Sequence, residues 1–204
     1  METSRLETFA DGVFAIAATL LIIYVSADAP GGGLGPALQH HWPQYAAYLV
    51  TFVTIGIWWV NHHLVMTMIG RADRAFLFAN IALLACIAFL PYPTKLVAEH
   101  FRDNGARAAV LTYGLTMTAA ALCFSLVWFY AAMNRRLIAE SVDQRMVDHI
   151  THSIIPGVPI NVGATLLALW SPHAAIALFV ALTLFYVAGA TLLEPKIETA
   201  GELA

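Results

Sequence analysis

Six stretches of apolar residues, each near the length a helix needs to cross a bilayer, leave this 204-residue chain little sequence for anything else. They run over about residues 9–27, 43–68, 75–97, 107–133, 149–170 and 173–193. A segment inside hydrocarbon must satisfy its own backbone, so each is read as an α-helix. Composition agrees, with 60% of residues hydrophobic and 11% charged, against about 25% charged in soluble domains. The expected fold class is all-α: an integral membrane bundle of six transmembrane helices, with residues 1–204 forming a single domain. A formal net charge of −3 and the lack of a basic patch give no footprint for nucleic acid. The bilayer is the expected surrounding.

Loop charges set the expected orientation. With the N-terminus in the cytoplasm, the inner segments carry Arg5, Arg71, Arg74, Arg135, Arg136, Arg145 and Lys196, and the outer ones only Lys95, Arg102 and Arg107. That asymmetry favours cytoplasmic termini in a multi-pass protein of the cell membrane. Ala27-Asp28-Ala29 has the small residues of a signal-peptide cleavage site, but Glu2 and Glu7 offset Arg5, so the leader lacks a positive start and the first span is expected to be kept. Asp28 to His41, with Pro30, three consecutive glycines and Pro36, reads as loop. Pro91 and Pro93 are expected to end or kink the third span, since proline lacks an amide donor. Asn134 to Asp148 reads as a polar helical connector, and Pro156 and Pro159 are placed to bend the fifth span.

The first span, FADGVFAIAATLLIIYVSA, contains one carboxylate, Asp11. A charge there is costly in lipid and signals a role. At about 100° per residue, Leu20 and Ile23 lie within about 40° of Ile16, Thr19 about 60° to one side, and Asp11 about 140° away. The helix therefore carries a bare aliphatic ridge on one face and an acid on another.

Other signals are mostly absences. There is no Walker loop, GxSxG or HExxH, and no nucleophile–base pair, so an enzyme is not expected and no catalytic residue is assigned. No TVGYG filter occurs; Thr112-Tyr113-Gly114 lies inside an apolar run. Cys86 and Cys123 stand alone in separate spans and read as small apolar residues. His62 and His63 diverge by about 100° on a helix, a poor chelate, so no metal is expected. Asn61, Asn80 and Asn161 also lie inside spans, where polar groups usually pair with one another.

Arg5-x3-Phe9-Ala10-Asp11 resembles the RxxxFSD signature that opens the transmembrane protein 175 family, the lysosomal and prokaryotic potassium channels. The resemblance continues through Gly12 to Leu21, Trp59-x2-His62, Asn80 and Phe89-Leu90-Pro91. It covers about the first half of the chain. Ala10 replaces the family's serine, which removes one hydroxyl beside Asp11. The resemblance implies a homotetramer whose first helices surround a central pore without a re-entrant filter loop. It implies that Ile16, Leu20 and Ile23 line that pore, with Thr19 near it. Arg5, Asp11, Trp59, His62 and Asn80 would form the supporting network. Potassium would be the permeant ion, with no cofactor. A ring of isoleucines makes an apolar constriction that stops ions by dewetting. The alternatives are a proton-coupled secondary transporter using Asp11 and His62 as a relay, and an assembly protein without permeation.

Overall fold

The computed structural model describes residues 3–26 and 33–192, with side chains to residue 188, and every regular element in it is helical. Nine α-helices occur among the described residues: α1 (Ser4–Leu20), α2 (Leu34–His40), α3 (Trp42–Thr67), α4 (Arg74–Phe89), α5 (Pro91–His100), α6 (Ala106–Ala132), α7 (Gln144–Ile154), α8 (Gly157–Leu167) and α9 (Pro172–Leu192). A 3-10 turn, Leu21–Tyr24, extends α1, and another, Met133–Arg135, follows α6. Five segments are long and apolar enough to cross a membrane: Ser4–Tyr24, Trp42–Thr67, Arg74–His100, Ala106–Arg135 and Gln144–Leu167. The sixth expected span is α9, whose described apolar part, Pro172–Ala188, is shorter.

Several boundaries move from their expected places. The first span begins and ends earlier than 9–27, because polar Ser4 to Thr8 already wind into the helix and the chain leaves it at Val25 in extended geometry. The loop expected from Asp28 to His41 contains α2, while Ala27-Asp28-Ala29 lies outside the described residues. Pro91 does not stop the third span. Leu90 keeps helical angles (φ −52°, ψ −37°), and Pro91 occupies the first position of α5, where no amide donor is needed. Pro43 and Pro172 likewise stand in the first turns of α3 and α9. Pro156 does not stop the fifth span either: Ile155 (φ −49°, ψ −47°) and Pro156 (φ −72°, ψ −14°) keep helical angles where α7 meets α8. The connector from Asn134 is mostly non-helical and α7 starts only at Gln144, capped by Asp143.

α6 is the central helix and packs most extensively on α4 and α8. Its buried face is rich in small residues, including Ala109, Gly114, Ala120, Ala121 and Ala131, which let neighbouring backbones come close. Hydroxyl pairs tie helices together: Thr54 with Thr183 (3.0 Å), Thr51 with Thr94 (3.1 Å) and Thr118 with Thr165 (3.1 Å). Trp128 Nε1 donates to Thr151 Oγ1 across α6 and α7 (2.9 Å). Cys86 and Cys123 are free thiols whose side chains meet between α4 and α6.

At one end of the bundle the α3–α4 turn is bound to the connector after α6. Gly70 N donates to Leu137 O and Ala139 N to Met68 O, both at 2.9 Å, around an isolated antiparallel bridge between Ile69 and Ile138. A Cβ on Gly70 would lie 3.0 Å from Ala139 Cα, so glycine allows this approach. Asn134 and Arg135 adopt φ of 53° and 52°. Asparagine tolerates the left-handed region, and Arg135 is held in it by bonds to the carbonyls of Ala139 (3.2 Å) and Val142 (2.7 Å).

Candidate functional site

α1 lies at the edge of the bundle, against α3 and α4. The stripe Leu6, Ala10, Phe14, Ala17 and Leu21 repeats every three or four residues and is buried. Ala10 is fully enclosed. The ridge points elsewhere. Ile16 is 60% exposed, Ile23 69% and Leu20 38%, and Thr19 beside them is exposed. The Thr19 hydroxyl donates back to its own helix, at 3.0 Å from the carbonyls of Ala15 and Ile16.

Behind α1 stand two polar pairs. Trp59 Nε1, on α3, donates to Asp11 Oδ1 at 2.8 Å, and the indole stacks on exposed His63 with centroids 5.9 Å apart. His62, buried on the next face of α3, has Nε2 at 3.0 Å from Asn80 Oδ1 on α4. Asn80 Nδ2 donates to Phe76 O at 2.9 Å, which fixes the amide with its oxygen toward the ring. His62 must therefore donate through Nε2. Its ring also packs on Phe14, at 5.5 Å between centroids, so α1, α3 and α4 meet at one buried imidazole.

Thus Asp11 and Trp59 come together, as do His62 and Asn80, but no hydrogen bond joins Asp11 to His62 among the described residues. Arg5 is exposed and makes no hydrogen bond or ion pair among them. His62 and His63 face apart, and the described residues hold no cluster of three or more His, Cys, Asp or Glu suited to a metal. Tyr113 and Gly114, from the discounted filter-like triplet, lie on the buried face of α6.

A polar cluster at the loop end was not expected. Asp73 Oδ1 caps α4 by accepting from Phe76 N (2.9 Å), and Oδ2 accepts from Tyr130 Oη (2.8 Å) and lies 3.3 Å from Arg136 Nη2. The Phe76 amide and Tyr130 hydroxyl hold this carboxyl below the ordinary aspartate range. The Arg136 guanidinium lies 4.5 Å from the Tyr130 ring centre, and Arg71 donates to Arg136 O. The capping aspartate before an apolar run is a readable signal; its partner Tyr130, 57 residues away, is not.

The profile of the family described as the endosomal/lysosomal potassium channel TMEM175 matches residues 5–91, from α1 to the start of α5. The chain is 46% identical over 146 residues to a potassium channel of Streptomyces collinus, covering 70% of each protein. It is 40% identical over 154 residues to a potassium channel of Chamaesiphon minutus, covering 74% of this chain and 76% of that protein. The crystal structure of a lysosomal potassium-selective channel TMEM175 homolog from Chamaesiphon minutus superposes with a TM-score of 0.84 at 34% identity, over 92% of this chain and 97% of the other. Signature, fold and extended similarity lead to one assignment: the chain belongs to the TMEM175 family.

Proposed function

We propose that this chain is one six-helix subunit of a homotetrameric, potassium-permeable cation channel in the cell membrane, with both termini in the cytoplasm. The first helices surround a shared axis, where Ile16, Leu20 and Ile23 form an apolar constriction and no re-entrant loop is needed. Transport is passive, and the chain is a channel rather than an enzyme.

The observation that carries this reading is the exposed side of α1. It bears not only the aliphatic ridge but also Arg5, Thr8 and Thr19, and Asp11, on the flank turned toward α3, is exposed as well. Hydrocarbon suits Ile16 and Ile23 but not a carboxylate or a guanidinium. Only one Asp11 oxygen has a partner among the described residues, and Arg5 has none. An assembly that turns this side toward other copies and an aqueous axis removes the conflict. The pairs Asp11–Trp59 and His62–Asn80 then serve as braces that fix α1 to α3 and α4 through charge-assisted and buried hydrogen bonds.

Potassium sheds hydration water more readily than sodium, so a narrow apolar ring at Ile16 favours it where partial dehydration limits passage. The test is potassium flux from liposomes holding the purified protein. Ile16→Asn places an amide in the ring and is expected to raise conductance several-fold or to lower discrimination against sodium. Unchanged flux and selectivity would remove Ile16 from the gate. Unitary current steps separate this channel from a proton-coupled carrier.

A further inference from the structure

Away from α1, a cleft of about 160 Å³ opens between α3, α6, α8 and α9. No charged side chain lines it. Trp58 and Phe124 meet edge to face along one wall, at 5.6 Å between centroids and 80° between planes. Beside them lie Asn61, one turn beyond Trp58, and Ser125, next to Phe124. Asn61 and Ser125 are partly buried and make no side-chain hydrogen bond among the described residues. Asn161, from α8, also lines the cleft. Its Nδ2 donates to Gly157 O (2.8 Å), which leaves its oxygen free to accept. The wall continues over Ile154 and Gly157, where α7 meets α8 and Pro156 and Pro159 cannot donate to the carbonyls four residues earlier.

An amide and a hydroxyl without partners in the middle of apolar helices call for something that hydrogen-bonds with them. Water satisfies a polar corner but is ill suited to walls of tryptophan, phenylalanine, methionine and isoleucine. An engineered cavity of about 150 Å³ is enough to hold benzene, so this cleft has room for a molecule of that order.

We propose that the cleft is a binding site for a small uncharged amphiphile, its hydroxyl or amide head paired with Asn61 and Ser125 and its short apolar tail against Trp58 and Phe124. The absence of charge in the walls excludes ionic heads such as fatty acids or alkylammonium ions. This site is separate from the proposed pore and does not depend on that reading.

The experiment uses the full chain in liposomes and a diazirine-bearing octanol as photolabel, with adducts mapped by mass spectrometry. Labelling is expected to concentrate on residues 57–65 and 121–125. Octanol at about nine times its Kd should reduce it about tenfold by mass action, while octane leaves most of it in place. Asn61→Leu should abolish labelling there and Ser125→Ala should weaken it, while both variants keep the wild-type elution profile in size-exclusion chromatography, which reports an intact bundle. Should Asn61→Leu fail to fold, Ser125→Ala carries the test. Equal protection by octane, lack of protection by octanol, or adducts spread evenly over exposed faces would each overturn the proposal.

Discussion

Asp73 engages both carboxylate oxygens, one on the Phe76 amide and the other on the Tyr130 hydroxyl and Arg136. These bonds lower its folded pKa below the unfolded value. The stability they add is therefore complete at neutral pH and is lost as pH falls through the lower, folded value. Asp73→Asn should lower the melting temperature at pH 7, and the gap to the wild type should narrow on acidification to about pH 3. Thermal melts of both proteins in the same detergent at the two pH values check this; a gap that stays constant would mean that the carboxylate charge does not matter. The sequence shows Gly70-Arg71-Ala72-Asp73-Arg74 only as a short turn between spans. The cap was readable from the aspartate's place before an apolar run. Contact with Tyr130 depends on how α6 returns beside α4, which no local pattern encodes.

Among the elements, α6 and α8 touch most closely at Gly114. A Cβ there would stand 2.5 Å from Thr165 Oγ1 and 3.0 Å from Thr165 Cβ. Threonine is stiff at χ1, and its hydroxyl already bonds Asn161 O at 2.7 Å, so it has little freedom to yield. Gly114→Ala is expected to destabilise the bundle by about 1–3 kcal/mol, the usual cost of overpacking. Denaturant titration in mixed micelles measures it; a neutral result would show that α8 shifts freely. Apolar runs long enough to cross a membrane were plain in the sequence because hydrocarbon demands length and uniform hydrophobicity. Proline was harder to interpret. Pro91 and Pro156 supply the same chemical defect, and at both the chain keeps helical angles, so that α4 runs on into α5 and α7 into α8.

On the scale of the whole molecule, α1 is held by one face and leaves the other open. Its attachment relies on Phe14 packing against His62 and on the Asp11–Trp59 bond. Asp11→Ala removes that bond, which is exposed and so worth on the order of 0.5–1 kcal/mol. Fewer copies of the proposed tetramer are expected, with residual assemblies conducting like the wild type. Size-exclusion chromatography and flux per assembled protein separate the two effects; a normal assembly yield with altered permeation would assign Asp11 to the ion path instead. The heptad-like spacing of Ile16, Leu20 and Ile23 marked a distinct face from sequence, and so did the placement of Asp11 off that face. What covers the ridge was not legible, because an aliphatic stripe reads alike whether it meets lipid, protein or a pore. Only the family signature pointed to an axis shared by several copies.

The Thr19 hydroxyl adds a directional detail to that arrangement. Its single hydrogen is already shared between two carbonyls one turn back, so the oxygen meets its surroundings through lone pairs alone. Around the proposed axis such oxygens solvate a positive ion and have nothing to give a halide. A hydroxyl fixed in this rotamer would add to a preference for cations without itself titrating.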